Sequence, residues 1–147
     1  MSLDDVYTDR ILKLAANMPR AGRLAEPDGS AEKTSKLCGS RVAVDVKVEG
    51  GRVADFAQEV QACALGQAAA AILGENVVGA RVEEVEVARE ALLAMLKRGG
   101  PPPEGRFGDL AVLQAVKDYP ARHASTALAF EAASAALRQA LRGADAA

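Results

Sequence analysis

Hydrophobic and polar residues alternate most regularly from Arg41 to Val48, where Val42, Val44, Val46 and Val48 fall on one face of an extended chain. A period of two over that length predicts a half-buried strand. Gly50-Gly51 follows as a hairpin turn signal, and a second extended run leads towards Cys63. Matching the apolar faces sets Val46 opposite Phe56 and Val42 opposite Val60, across a short Gly50-Gly51-Arg52 loop. Continued to the open end, this register puts Cys63 beside Gly39; a two-residue turn would put it opposite Cys38 itself. The two cysteines are 25 residues apart in the chain. Either register makes them neighbours, because facing Cα atoms of an antiparallel pair lie about 4.5–5.5 Å apart.

Elsewhere the period is helical. Leu3 to Asn17 carries a stripe of Val6, Ile11, Leu12, Leu14 and Ala15. Ser2 is its candidate cap, Asp4 and Asp5 suit the positive end of the helix dipole, and Met18-Pro19 ends it. Ala21 to Ala25 is a candidate short edge strand, and Glu26 to Ser35 reads as a polar, turn-rich loop leading to Cys38. After Cys63, Ala64 to Leu73 starts a helix almost free of bulky side chains, so another backbone can come close. Cys63 then stands at a helix N-terminus, where the dipole favours a thiolate. Glu83 to Arg98 is a further helix, with Val85, Leu92, Leu93 and Leu96 inward and the Glu83-Glu84-Glu86 cluster on its solvated face. Gly99 to Gly105, with its three prolines, is a loop. Gly108 to Leu113 reads as a short helix capped by Asp109. The last helix spans Ala121 to Leu141, carrying Leu128, Ala132, Ala135 and Leu141, and Gly143 to Ala147 is a frayed tail. Strands first and helices after predict an α+β fold: a small antiparallel sheet with helices packed on one face.

At 147 residues the chain suits one domain with a core of its own. Aromatic residues make up only 3%, so Ala, Val and Leu must build that core. The net charge is −2 and no basic stripe appears, which leaves nucleic-acid binding without an electrostatic footprint. No apolar run approaches the roughly 20 residues of a membrane span, and the acidic N-terminus lacks a signal-peptide pattern. The expected location is cytoplasmic, where two cysteines stay reduced or bind metal rather than form a structural disulfide.

Thiolates are soft ligands that suit zinc and iron–sulfur clusters. Cys38 and Cys63 at one hairpin end make half a site. His123, the single histidine, opens the last helix and is the candidate third ligand. The plainer alternatives are two buried hydrophobic cysteines and a capping histidine. No Ser/His/Asp triad, P-loop or dinucleotide fingerprint is present.

Several motifs carry a family resemblance: Gly22-Arg-Leu; Cys38-Gly39 opening a Val-rich strand; Gly50-Gly-Arg-Val-Ala-Asp-Phe56; Ala62-Cys63-Ala-Leu-Gly-Gln-Ala68; and Tyr119-Pro-Ala-Arg followed by Leu128-Ala-Phe. In order and spacing they resemble the IscU/NifU-type iron–sulfur cluster scaffold proteins. The Gly99 to Leu113 stretch is similar to the insertion that marks the SufU branch. The resemblance implies a three-stranded antiparallel sheet with helices on one face. It also implies a scaffold or carrier, not strictly an enzyme, that holds iron or a nascent [2Fe–2S] cluster through Cys38 and Cys63. Sulfur would come from a cysteine desulfurase, and the product would pass to apo iron–sulfur acceptor proteins. Family members also bind zinc at this site. The family pattern Cys-Gly-Asp is here Cys38-Gly39-Ser40, and Ser125 holds the position of the third family cysteine, so serines stand where a carboxylate and a thiol are usual. Two ligand arrangements remain open: Cys38, Cys63 and His123 in one chain with water or an outside thiol, or Cys38 and Cys63 from each chain of a homodimer. The alternative functions are a metal-free interaction protein regulating a cysteine desulfurase, and a SufU-type sulfur-transfer protein.

Overall fold

The Val-rich alternation forms strand β2 (Ser40–Glu49), which pairs antiparallel with β3 (Arg52–Gln61). Val46 faces Phe56 and Val42 faces Val60, as the matched apolar faces require. The turn is shorter than the three-residue loop expected: Gly50 and Gly51 make it alone, both with positive φ (58° and 77°), the conformation a twisted two-residue hairpin demands. A one-residue shift between Lys47 and Val48 then restores the inner register. The computed structural model describes residues 7–36 and 39–146, except the side chains of 144–146. Ser2, Asp4, Asp5, Val6, Cys38 and Ala147 therefore lie outside the described residues.

The third strand is not Ala21 to Ala25 but β1 (Gly29–Ser35), within the stretch expected to be loop. It pairs antiparallel with β2, Gly29 facing Val46 and Ser35 facing Ser40, in the order β1-β2-β3. Its sequence, Gly-Ser-Ala-Glu-Lys-Thr-Ser, has no apolar alternation because its inner face is Gly, Ala, Lys and Ser under an alanine-rich helix. Polar edge strands of this kind also resist pairing with other chains. Of the 21–25 stretch, Ala21 alone makes a bridge, to Gln58 of β3.

The helices lie on the Val42–Val44–Val46 face. Helix α1 (Asp9–Ala16) is capped by Thr8, whose hydroxyl accepts from the Ile11 N–H, and it buries Ile11 while Leu12 of the expected stripe is exposed. Helix α2 (Ala64–Asn76) follows Cys63, and α3 (Val82–Arg98) buries Val85, Leu92 and Leu96. Helix α4 (His123–Ala146) crosses β1 and β2 and extends through residues expected to fray; Leu141 on it is exposed. Between α3 and α4, Gly105–Asp118 is a run of 3-10 turns rather than a short α-helix over 108–113. Its buried residues Phe107, Leu110, Leu113 and Val116 recur every third position, the period of that helix type. Asp109, expected as a cap, instead pairs with Arg10 at 3.4 Å on the surface. No described helix is long and apolar enough to cross a membrane.

Two of the expected solvated acids are engaged. Glu84 accepts from the Arg81 N–H and closes the start of α3, and Glu86 accepts from the Ser134 hydroxyl and from Arg138 and Arg89, tying α3 to α4. Burial opposes ionisation of Glu86, yet Ser134, Arg138 and Arg89 together hold its carboxyl below the ordinary range.

Asp45 points to the face of β2 away from the helices, where alternation predicts solvent, yet its side chain is only 1% exposed. Arg23 clamps it with two bonds, Nε to Oδ2 at 2.7 Å and Nη2 to Oδ1 at 2.9 Å; the Leu24 N–H (3.0 Å) and Ser30 Oγ (2.6 Å) also donate. The Arg23 hydrogen bond, against the opposing cost of burial, lowers the Asp45 carboxyl to about 2. A folded-state value below the unfolded one contributes stability that is present above about pH 4 and is lost as pH falls towards 2. Between pH 5 and pH 2, chemical denaturation should show the wild type losing about 2 kcal/mol more stability than Asp45→Asn loses over the same range. Gly29 provides a second test, because a Cβ there would lie 2.0 Å from the Ala136 carbonyl oxygen of α4. Gly29→Ala should lower the urea unfolding free energy by roughly 2–3 kcal/mol.

Candidate functional site

Cys63 occupies the N-cap position of α2, with φ −65° and ψ 169°, and makes no side-chain capping bond. It is half-buried and free, at the point where β3 ends and α2 begins. Its carbonyl accepts from the Gln67 N–H at 2.9 Å, which starts the helix. The first-turn N–H groups of α2 that lack intrahelical partners thus lie at the same helix end as the thiol.

The side chain brought to Cys63 is Ser125, in the first turn of α4: Ser125 Oγ lies 3.6 Å from Cys63 Sγ. Ser125 is buried, and its hydroxyl also donates to the Arg122 carbonyl at 3.2 Å. The approach depends on Gly66, one turn into α2. A Cβ on Gly66 would lie 2.8 Å from the Ser125 carbonyl oxygen and 2.9 Å from Ala62 Cβ. A glycine inside a helix costs about 0.5–1 kcal/mol relative to alanine, and here it is offset by the close crossing of α2 and α4. The expectation that small residues in this helix admit another backbone holds at this position. The mid-helix glycine was the one signal in the sequence that could have singled out Gly66.

Cys38 lies outside the described residues; its neighbours on the far side of the site are described. The Gly39 N–H donates to the Ser35 carbonyl at 2.9 Å, closing the connection from β1 to β2. Ser40 is buried at the start of β2 opposite Ser35. The described β2–β3 pairing ends at Arg41 and Gln61; its register, continued outward, brings Gly39 beside Cys63.

His123 is turned elsewhere. Its Nε2 lies 3.0 Å from the Val116 carbonyl oxygen and 3.1 Å from that of Lys117. Carbonyls only accept, so Nε2 carries the proton and donates to the end of the 3-10 run. Residues two apart on a helix point about 200° apart. With Ser125 facing Cys63, His123 faces the opposite side of α4 and does not meet Cys63.

Among the described residues, no three of His, Cys, Asp or Glu gather so as to hold a metal ion. Zinc asks for four ligands, at least three of them from protein. The described donors at this place are one thiol and one hydroxyl, which do not fit it. A serine hydroxyl stays protonated and is a hard donor.

Comparison with known proteins places these features in a family. Residues 6–126 match the family described as the NifU-like N terminal domain. The chain is 30% identical over 135 residues to the iron-sulfur cluster assembly scaffold protein IscU of Thermotoga maritima, covering 91% of this chain and 94% of that protein. It is 24% identical over 131 residues to the zinc-dependent sulfurtransferase SufU of Bacillus subtilis, covering 89% and 88% of the two. The crystal structure of the N-terminal part of a nitrogen-fixing NifU-like protein from Brucella abortus superposes with a TM-score of 0.93 at 52% identity, covering 95% of this chain and 97% of that one. A scaffold protein of the SUF system from Fervidobacterium islandicum shares the fold, with a TM-score of 0.84 at 21% identity and coverage of 92% and 99%.

Restoring a thiol beside Cys63 should change the metal chemistry. Ser125→Cys should tighten zinc binding at least tenfold over wild type in competition with a chromophoric chelator, and Gly66→Ala in the same background should remove most of that gain by forcing the two helices apart.

Proposed function

The chain belongs to the NifU-like N-terminal domain family, and from that premise we propose that it is an iron–sulfur cluster assembly scaffold or carrier whose cargo is held by Cys38 and Cys63. The observation that carries this reading is the placement of Cys63: free, half-buried, at a helix N-terminus and at the open end of the hairpin. An inert core cysteine needs none of those features, and a thiolate that ligates iron is served by accessibility and by a helix N-terminus.

The cargo is the substrate of the process. Sulfur comes as the persulfide of a cysteine desulfurase and becomes sulfide when an external thiol or electron donor reduces it; the finished cluster leaves with an apo acceptor protein, so the chain turns over no chemical product of its own. A [2Fe–2S] cluster takes four thiolates, and the chain has two cysteines. We assign the second pair to a second copy of the chain. Serines at 40 and 125, in place of stronger ligands, make the hold weaker, which suits a protein that must release what it assembles. The zinc-dependent sulfur-transfer reading has less support, because the hydroxyl of Ser125 faces Cys63 where that chemistry wants a third strong ligand.

Anaerobic reconstitution tests the proposal. Iron and acid-labile sulfide should appear in equal amounts, about one of each per chain, with visible charge-transfer absorption and dimer sedimentation. Cys63→Ala should retain less than a tenth of that absorption, and His123→Ala should stay within twofold of wild type. Iron and sulfide at background in the wild type would refute the scaffold reading.

A further inference from the structure

Among the described residues, nothing pairs with the edge of the sheet next to Cys63, beyond Gln58. Gln58 of β3 turns both its backbone groups away from β2: its N–H donates to the Arg20 carbonyl (2.9 Å), and its carbonyl accepts from the Gly22 N–H (2.8 Å). Backbone groups alternate in direction along a strand, and the β2–β3 register is unbroken from Gln58 to Gln61. Val60 therefore also points its N–H and C=O outward. Continuation of the ladder would join the Val60 N–H to the Gly22 carbonyl and the Leu24 N–H to the Val60 carbonyl. Neither bond is made among the described residues, and Leu24 gives its N–H to Asp45 instead.

Space lies on both sides of this edge. Towards the helices a cavity of about 320 Å³ is lined by Ala15, Met18, Gly22, Gln58, Val60 and Glu59, the last two shared with the other side. Gln58 is fully buried, and its Oε1 has no hydrogen-bond partner. On the other side a cavity of about 400 Å³ is lined by Arg23, Glu32, Arg41, Glu59, Val60 and Gln61. A strand laid along Val60 would send alternate side chains into these two spaces, one of mixed polarity with an unmet acceptor, the other charged. Backbone pairing of that kind supplies affinity, and the alternate pockets supply selectivity.

We propose that an extended segment of the sulfur-donating desulfurase pairs with the open edge of β3 at Val60 and is thereby led to Cys63, three residues further along the chain. The proposal rests on the scaffold reading for the identity of its partner. The occupant must be polypeptide in extended form, because the unmet groups are one backbone donor and one backbone acceptor at strand spacing. Its segment carries a small or donor-bearing side chain towards Gln58 and a charged one towards Arg23, Arg41 and Glu59.

Val60→Pro removes the outward N–H while breaking no bond within the sheet, and proline is tolerated at an edge in that orientation. Cluster assembly driven by the desulfurase with cysteine and a dithiol reductant should fall at least tenfold in this variant, and assembly driven by inorganic sulfide should stay within twofold of wild type. Val60→Ala, which keeps the N–H, should behave as wild type in both assays. Independently of any variant, the Val60 amide of the wild-type chain should exchange rapidly with solvent alone and become protected when the desulfurase is added. Wild-type rates for Val60→Pro with the desulfurase, or a Val60 amide that stays unprotected, would overturn the docking mode and leave the scaffold reading intact. A wild type that gathers no cluster from inorganic sulfide defeats the scaffold reading instead, and protection of the Val60 amide still decides the docking mode.

Discussion

Helix α4 lies so close to the rest of the molecule that at two places a methyl group would not fit. At Gly29 the β1 backbone meets the Ala136 carbonyl, and at Gly66 the α2 backbone meets the Ser125 carbonyl. These contacts grip a helix of 24 residues near its start and past its middle. Much of the rest of the interface is alanine, with Ala129, Ala132, Ala133 and Ala136 buried beside Leu128, Phe130 and Leu137. A core of such fine grain has little bulk with which to absorb misfit, because interiors are packed at close to crystalline density. The three phenylalanines are the exception: all are buried, and Phe107 meets Phe130 edge to face with centroids 5.7 Å apart. The height of α4 above the sheet follows from these two glycines, and the distance from Ser125 to Cys63 follows from that height.

The other face of the sheet is organised by charge. Strand β2 is buried on both sides, by the helices over its valines and by the Arg23–Leu24 segment over Asp45. Buried charges hold their place when their hydrogen bonds are satisfied, and Asp45 accepts from Arg23, Leu24 and Ser30. This ionic clamp also shapes the sheet. By taking the Leu24 N–H it draws the chain off the β3 edge after Gly22, which leaves Val60 uncovered. A structural contact at Asp45, which faces Ala57 six residues before Cys63, thus sets what surrounds the end of β3 that carries Cys63.

The hairpin was legible because two independent signals agree on it. Four valines at every second position define an inner face, and a Gly-Gly pair marks the turn, so the pairings of Val42 with Val60 and Val46 with Phe56 follow. Helices α2 and α3 were legible from spacing and end signals within a few residues. Strand β1 was not, because hydrophobic periodicity registers bulky side chains and β1 packs through glycine, alanine and serine. The 3-10 run did display its apolar residues at every third position; Phe107 and Val116, at the outer ends of that series, fell outside the shorter helix read from Gly108 to Leu113.

For the site, the sequence by itself determined the chemistry: two thiols, serines at 40 and 125, one histidine, and Cys63 just ahead of a helix. It also placed Cys63 at the junction of the second hairpin strand and the helix after it, where the structure has it. Tertiary structure alone decided which side of α4 meets that thiol. His123 and Ser125 are two residues apart and about 200° apart around the helix, so only one of them can face Cys63. The choice went to Ser125, through the missing Cβ of Gly66, while the carbonyls of Val116 and Lys117 took the histidine on the other side. That rotation is settled by contacts between segments distant in the chain, and no pattern local to Arg122–Thr126 encodes it.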